Sequence, residues 1–144
     1  MTEVTSPPPV AREHCRHYSY DLRNYDDWSL GGPRCALGID LSAPGGSRRC
    51  WPNSEQICAS RENWTEQEKA TWKAWQDERN SRMIAAIAAL PASEGYSTTT
   101  INCPSCSGTI KNIRIPKRAH VECSTPHCVK FEANVRGLWP GKSA

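Results

Sequence analysis

Cys103-Pro-Ser-Cys106 and Cys123-Ser-Thr-Pro-His-Cys128 decide how this chain is read. Their spacing is C-x2-C-x16-C-x4-C. Each close pair sits on a short turn that aims two sulfurs at one point, and the insert between them brings the pairs together. Four thiolates at about 2.3 Å from one ion make a closed tetrahedral site. With no position left for water or substrate, the expected metal is structural zinc, whose binding folds a segment with little core of its own.

The flanks of the cysteine pairs read as strands over 97–101, 109–115 and 129–135, which makes the expected unit a β zinc ribbon and not a finger with a reading helix. The middle strand alternates, with Ile113 and Ile115 on one face and Asn112 and Arg114 on the other. Gly108 follows the first turn and is expected to supply backbone freedom. His120 and His127 stand close to the second pair, but four cysteines complete the shell, so both are expected outside it. Lys111, Arg114, Lys117 and Arg118, with Pro116 at the bend, are the expected binding surface for phosphate or an acidic partner. No aromatic interleaves with them for base stacking, so sequence-specific reading of bases is not expected.

Upstream lies a helix. Thr65-Glu-Gln-Glu68 forms a capping box, Pro91 ends the pattern, and Trp72, Trp75, Arg79, Met83, Ala86, Ile87 and Leu90 recur at three- and four-residue steps. The expected helix, Glu66 to Leu90, runs roughly 37 Å at about 1.5 Å per residue. The stripe Trp72, Trp75, Arg79, Met83 and Ile87 either packs inside the chain or offers a docking face, including a homodimer seam.

Further upstream, residues 14–62 are turn-rich, and their apolar residues (Leu22, Trp28, Leu30, Leu37, Ile39, Leu41, Trp51 and Ile57) keep no period. Cys15, Cys35, Cys50 and Cys58 punctuate this stretch with 19, 14 and 7 residues between them. A core-poor segment with four cysteines is expected to fold on a second metal. Zinc is the first reading, and a 4Fe–4S cluster the alternative, because scattered cysteines hold one.

The expected architecture is therefore a small, metal-stabilised α+β chain. A disordered Pro-rich lead (1–13) precedes a cysteine-rich loop module (14–62), one long amphipathic helix (64–91), a zinc ribbon (97–135) and a tail (136–144). The chain has 144 residues, 38% of them apolar, with eight Cys, six Trp and a single Phe, too few apolar side chains for hydrophobic burial alone to hold it. The net charge of +3 is uneven: residues 91–144 hold seven Lys/Arg against three Asp/Glu, whereas residues 1–62 hold seven against eight. The basic surplus thus falls on the C-terminal module, as a phosphate-contacting surface would leave it.

The first residues carry no apolar run of a secretory signal, and no stretch is long and apolar enough to span a bilayer. The expected compartment is the cytoplasm, where clustered cysteines favour metal over disulfides. No P-loop, G-x-G-x-x-G or H-E-x-x-H occurs, so no enzyme is expected. The residual catalytic reading is a nuclease built from Asp and His residues of 14–40, where Asp26, Asp27 and Asp40 serve more simply as turn caps.

Cys103-Pro-x-Cys106, His120-Val121 and Cys123-x-Thr-Pro-x-Cys128 resemble the ribbon of small two-module proteins encoded by phages and prophages of proteobacteria. Cys35-Ala-x-Gly38, the later cysteine pair and the Thr65 to Glu68 helix start are similar to their upstream part, so the likeness covers about residues 14–134. The long gap between Cys15 and Cys35 and the Trp-rich helix start depart from that pattern. The resemblance implies a phage protein in the host cytoplasm. Three functions are then expected in order: a nucleic-acid-associated or transcription-linked regulator; an inhibitor of a host machine, such as an anti-CRISPR-like protein binding a nucleoprotein complex; and an iron–sulfur redox or sensor protein.

Overall fold

The computed structural model describes residues 3–21, 31–92 and 95–134. They form a small α+β fold with two antiparallel sheets and, among the described residues, one α-helix. The chain divides into two compact units: residues 9–72, and residues 73–144 together with 1–8. No helix among the described residues is long and apolar enough to cross a membrane.

In the unit of residues 9–72, strands β1 (Tyr18–Asp21) and β2 (Gly32–Cys35) pair antiparallel, with Tyr18 opposite Cys35. A 3-10 turn, Gly46–Cys50, follows. The core is thin: Cys15, Leu41 and Cys50 are buried, with Tyr18, Cys35 and Ile39 packed against them. Polar stitches supplement it. The Cys15 amide donates to the Cys50 carbonyl (2.7 Å) and the Arg16 amide to the Glu62 carbonyl (2.8 Å). Arg16 also pairs with Glu68 at 2.9 Å, and Lys69 with Glu13 at 3.3 Å. Asp40 caps a turn by accepting the Ser42 amide at 2.9 Å, and the Ser42 side chain together with this amide holds its carboxyl below the usual range. Leu22, Asp26, Asp27, Trp28, Leu30 and the tail over 136–144 lie outside the described residues.

Helix α1 (Glu66–Ala89) begins where the capping box places it. The Thr65 amide donates to Glu68 Oε2 at 2.8 Å, and the Glu68 amide to Thr65 Oγ1 at 3.1 Å, so two end donors are satisfied reciprocally. The bond from the Thr65 amide holds the Glu68 carboxyl below its ordinary range.

In the other unit, β3 (Ser97–Asn102), β4 (Thr109–Ile115), β5 (Arg118–Cys123) and β6 (Lys130–Asn134) form a meander in the order β3-β4-β5-β6. The register sets Ile101 opposite Ile110 and Ile110 opposite Cys123. Side chains alternate across the sheet, so Ile110, Asn112 and Arg114 share a face with Ala119, Val121 and Cys123. That face is the buried one. Ile113 and Ile115 point the other way and stay 40% and 42% exposed. Asn112 is only 1% exposed, and neither end of its amide has a hydrogen-bond partner among the described residues.

Strand β5 joins the three strands read from sequence. Its inward positions, Ala119, Val121 and Cys123, carry little side-chain volume, and its apolar signal is correspondingly weak. The core here joins Ala86 and Leu90 of the helix end to Ile110, Val121, Val129 and the four C-terminal cysteines, with Val4, Met83, Ile101 and Phe131 packed against it. Residues 3–13, read as a disordered lead, carry no helix or strand, yet Val4 joins this core and Ala11 is buried in the unit of residues 9–72.

Candidate metal centre

Both C-terminal cysteine turns lie at the same end of the four-stranded sheet. The turn from β3 to β4 carries Cys103 and Cys106, Cys123 ends β5, and Cys128 precedes β6. Sheet bonding continues into the turns. The Cys103 amide donates to the Gly108 carbonyl (2.9 Å), the Cys123 amide to the Val129 carbonyl (2.8 Å), and the Ser124 amide to the Thr109 carbonyl (2.8 Å). The Thr109 amide in turn donates to Ser124 Oγ at 3.0 Å and ties one turn to the other.

The four ligand atoms lie within 4.8 Å of one another, and all four cysteines are buried. Cys103 and Cys128 sulfurs stand 3.8 Å apart, Cys106 and Cys123 sulfurs 3.5 Å. A tetrahedron of bonds of about 2.3 Å places its sulfurs roughly 3.8 Å apart, so the geometry fits one tetrahedral ion. All eight cysteines of the chain are free, and these separations far exceed a disulfide bond of about 2.05 Å.

Three of the four sulfurs accept an amide from two residues ahead: Ser105 to Cys103 (3.5 Å), Gly108 to Cys106 (3.3 Å) and Thr125 to Cys123 (3.4 Å). Such donors favour the thiolate, the form that binds metal. Burial works against charge at Cys106, but Thr125 Oγ1 at 3.2 Å, the Gly108 amide and the Cys123 and Cys103 sulfurs outweigh it and bring the thiol down to about 6. Burial pushes Cys123 and Cys128 above the ordinary thiol range. Cys106 is thus the sulfur whose surroundings most favour the thiolate, whereas burial opposes charge at Cys123 and Cys128.

Gly108 acts differently from the sequence expectation. Its φ is not positive; what the site requires is the missing side chain. A Cβ there would stand 2.5 Å from Thr125 Oγ1, 2.7 Å from Ser124 Oγ and 3.1 Å from the Cys123 sulfur. The left-handed position in the second turn belongs to His127, with φ 61.

Sequence reasoning missed Arg82. It is 7% exposed, and it is anchored to Glu78 by an ion pair at 2.6 Å. It donates to the Cys128 carbonyl from Nε (3.1 Å) and to the His127 carbonyl from Nη2 (3.4 Å). A buried guanidinium thus braces the second cysteine turn against α1. The available signal was its place at the centre of the stripe, between Arg79 and Ala86, where an apolar residue would be the ordinary choice.

The stripe itself is occupied within each unit. In the unit of residues 9–72, the Arg12 guanidinium lies over the Trp72 ring at 5.9 Å. In the other, Trp75 Nε1 donates to the Thr5 carbonyl (3.4 Å), and Arg79 lies over Trp75 while donating to the Lys130 carbonyl (3.2 Å). Met83 packs on the core and Ile87 is half-buried.

The basic quartet is not one surface. Lys111 lies on the exposed face of β4, Lys117 in the following turn and Arg118 at the start of β5, whereas Arg114 is half-buried on the inner face. His120 is on the outer face, its Nε2 at 3.1 Å from Glu122 and its Nδ1 at 3.4 Å from Glu132. Lys130 also reaches Glu122, at 3.1 Å, and with His120 holds that carboxyl below its usual range.

The N-terminal cysteines are brought together less tightly. Cys15, Cys35, Cys50 and Cys58 all line one cavity of about 10 Å3. Burial raises the Cys50 thiol, and Cys15, Cys35 and Cys58 raise it further. Yet, among the described residues, the C-terminal quartet is the one group of three or more such side chains whose ligand atoms meet at single-ion distances. No family model, no curated protein and no solved structure matches this chain.

Proposed function

We propose that the chain is a non-enzymatic binding protein whose C-terminal unit is a ribbon folded by one zinc ion, and that it contacts the phosphates of nucleic acid. Cys103, Cys106, Cys123 and Cys128 close the shell, so the ion stabilises and does not catalyse. The observation that carries the reading is the charge left on the outer side of the sheet. Lys111, Lys117 and Arg118 are exposed and make no ion pair among the described residues, whereas Lys130 is neutralised by Glu122. Phosphate contact by such residues requires no base reading. The setting implied by the phage resemblance is the host cytoplasm.

Binding to DNA and RNA, titrated against salt, tests this. The expected affinity falls steeply as salt rises, with a log–log slope of roughly −0.9 per duplex phosphate contacted. Reversing Lys111, Lys117 and Arg118 to Glu should flatten that slope. A chain that ignores both nucleic acids at low salt overturns the reading.

A second reading, inhibition of a host nucleoprotein machine, is favoured by Ile113 and Ile115, which leave an apolar strip between Lys111 and Arg118. Association through that strip should persist at high salt and weaken with Ile113→Asp.

A further inference from the structure

Resting on the nucleic-acid reading, we propose that the groove lined by residues 40–56 holds one unpaired nucleotide of a single strand, its base stacked on Trp51 and its phosphate held by Arg48 and Arg49. The groove belongs to the unit of residues 9–72 and encloses about 770 Å3. Its frame is fixed by the backbone. A Cβ at Gly46 would stand 2.9 Å from the Leu41 carbonyl oxygen, so only glycine lets the chain close on buried Leu41 before the 3-10 turn Gly46–Cys50. The Trp51 amide then donates to the Arg48 carbonyl (3.1 Å), the Ser54 amide to the Trp51 carbonyl (3.4 Å) and the Gln56 amide to Ser54 Oγ (3.2 Å). The Trp51 ring packs edge-to-face with His14 (centroids 5.4 Å apart) and Tyr18 (6.2 Å). Trp51 is thus held in place, yet it stays 41% exposed where it lines the groove.

The lining decides what fits. Arg48 and Arg49 are exposed and make no ion pair among the described residues, so both guanidiniums are open to a phosphate. Asp40, which accepts the Ser42 amide, and Glu55 line the same groove and balance that charge. A run of phosphates therefore gains nothing there, whereas one phosphate beside the arginines does. A base within a duplex is stacked on both faces, so stacking on Trp51 selects an unpaired one. The side chains of Asn53 and Gln56 also line the groove and offer both donors and acceptors to a base edge. This contact differs in kind from that of Lys111, Lys117 and Arg118, which present charge and no stacking ring.

The test is binding of the full, zinc-loaded chain to a dye-labelled oligothymidylate and to a duplex of the same length. Trp51→Ala should weaken single-strand binding about 5- to 150-fold and leave duplex binding unchanged, whereas Trp51→Phe should keep most of it. Arg48→Gln combined with Arg49→Gln should flatten the single-strand salt slope by about 0.7, the value for one phosphate. In the wild-type chain the Trp51 indole proton, assigned with Trp51→Phe, should shift when the single strand is added and stay when the duplex is added. That measurement decides the matter even if Trp51→Ala does not fold. Single-strand affinity unchanged in a folded Trp51→Ala chain, or an indole proton that stays, overturns the proposal, and so does free thymidine monophosphate binding as tightly as the strand. Reversing Lys111, Lys117 and Arg118 to Glu reports on the ribbon alone, so failure of one contact is read apart from failure of the other.

Discussion

The two cysteine quartets have the same ligands and opposite geometry. At the C-terminal end, sheet register fixes two turns side by side, and three amides aim at sulfurs two residues back. At the N-terminal end, a short strand pair, a 3-10 turn and loops carry one cysteine each, and one amide-to-sulfur bond is seen among the described residues. The first arrangement brings sulfurs to 3.5 and 3.8 Å; in the second all four cysteines line one small cavity, but no three of their ligand atoms come within 4.8 Å of one another. The contrast teaches that convergence on one ion comes from the backbone at the ligand turns, and not from cysteine count.

The largest expected effect separates the quartets outright. Cys106→Ala, or stripping the zinc-loaded chain with a chelator, should unfold the unit that contains β3 to β6, because metal-binding energies of roughly 10–16 kcal/mol are lost. Amide chemical shifts of the four-stranded sheet should collapse while those of β1 and β2 remain. Collapse of both sets together would break the separation of the two units.

Acid should act next. In the ion-free quartet Cys123 and Cys128 are protonated at neutral pH, so binding one ion expels at least these two protons. Affinity therefore rises with pH and falls at least about 100-fold per unit on acidification through neutrality. It falls more steeply once pH drops below about 6, where Cys106 also takes up a proton. A competitive zinc titration between pH 6 and 8 checks the slope.

How much of this was legible in the sequence follows the same contrast. Cys103, Cys106, Cys123 and Cys128 announced themselves by spacing, and Thr65 and Glu68 by the capping box, because both signals are local. Arg82 was not legible as a brace, since its partners, the carbonyls of His127 and Cys128, lie some 45 residues away. Nor was the burial of Asn112 in place of Ile113. Strand alternation gives two faces without saying which is inside; the inward Ile110 and Cys123 decide it. Arg114 left the basic group for that reason. The N-terminal quartet was legible only by composition, because no short spacing encodes its turns.

Arg82→Ala sharpens the contrast at intermediate cost. It strips donors from two carbonyls of the second turn and leaves Glu78 unpaired, so the C-terminal unit should lose about 2–4 kcal/mol in chemical denaturation. Arg79→Ala, half-buried over Trp75 and bonded to one carbonyl, should cost about 0.5–1.5 kcal/mol. Equal losses would remove Arg82 from its bracing role.

Two glycines should cost less than Arg82. Gly108→Ala should cost about 1–3 kcal/mol, because the new methyl presses on the Cys123 sulfur and two bonded hydroxyls. Gly38→Ala should cost about 1–2 kcal/mol for a different reason, its φ of +78 with open space around it. Only the first should also loosen zinc in a competition assay.

The central claim is that the four C-terminal thiolates jointly grip one ion. X-ray absorption at the zinc edge, on the chain loaded with one equivalent, tests it most directly. The account predicts four sulfurs at about 2.3 Å and no lighter ligand, a shell lost with Cys106→Ala and kept with Cys35→Ala. A shell containing nitrogen or oxygen, or one lost with Cys35→Ala and kept with Cys106→Ala, contradicts it.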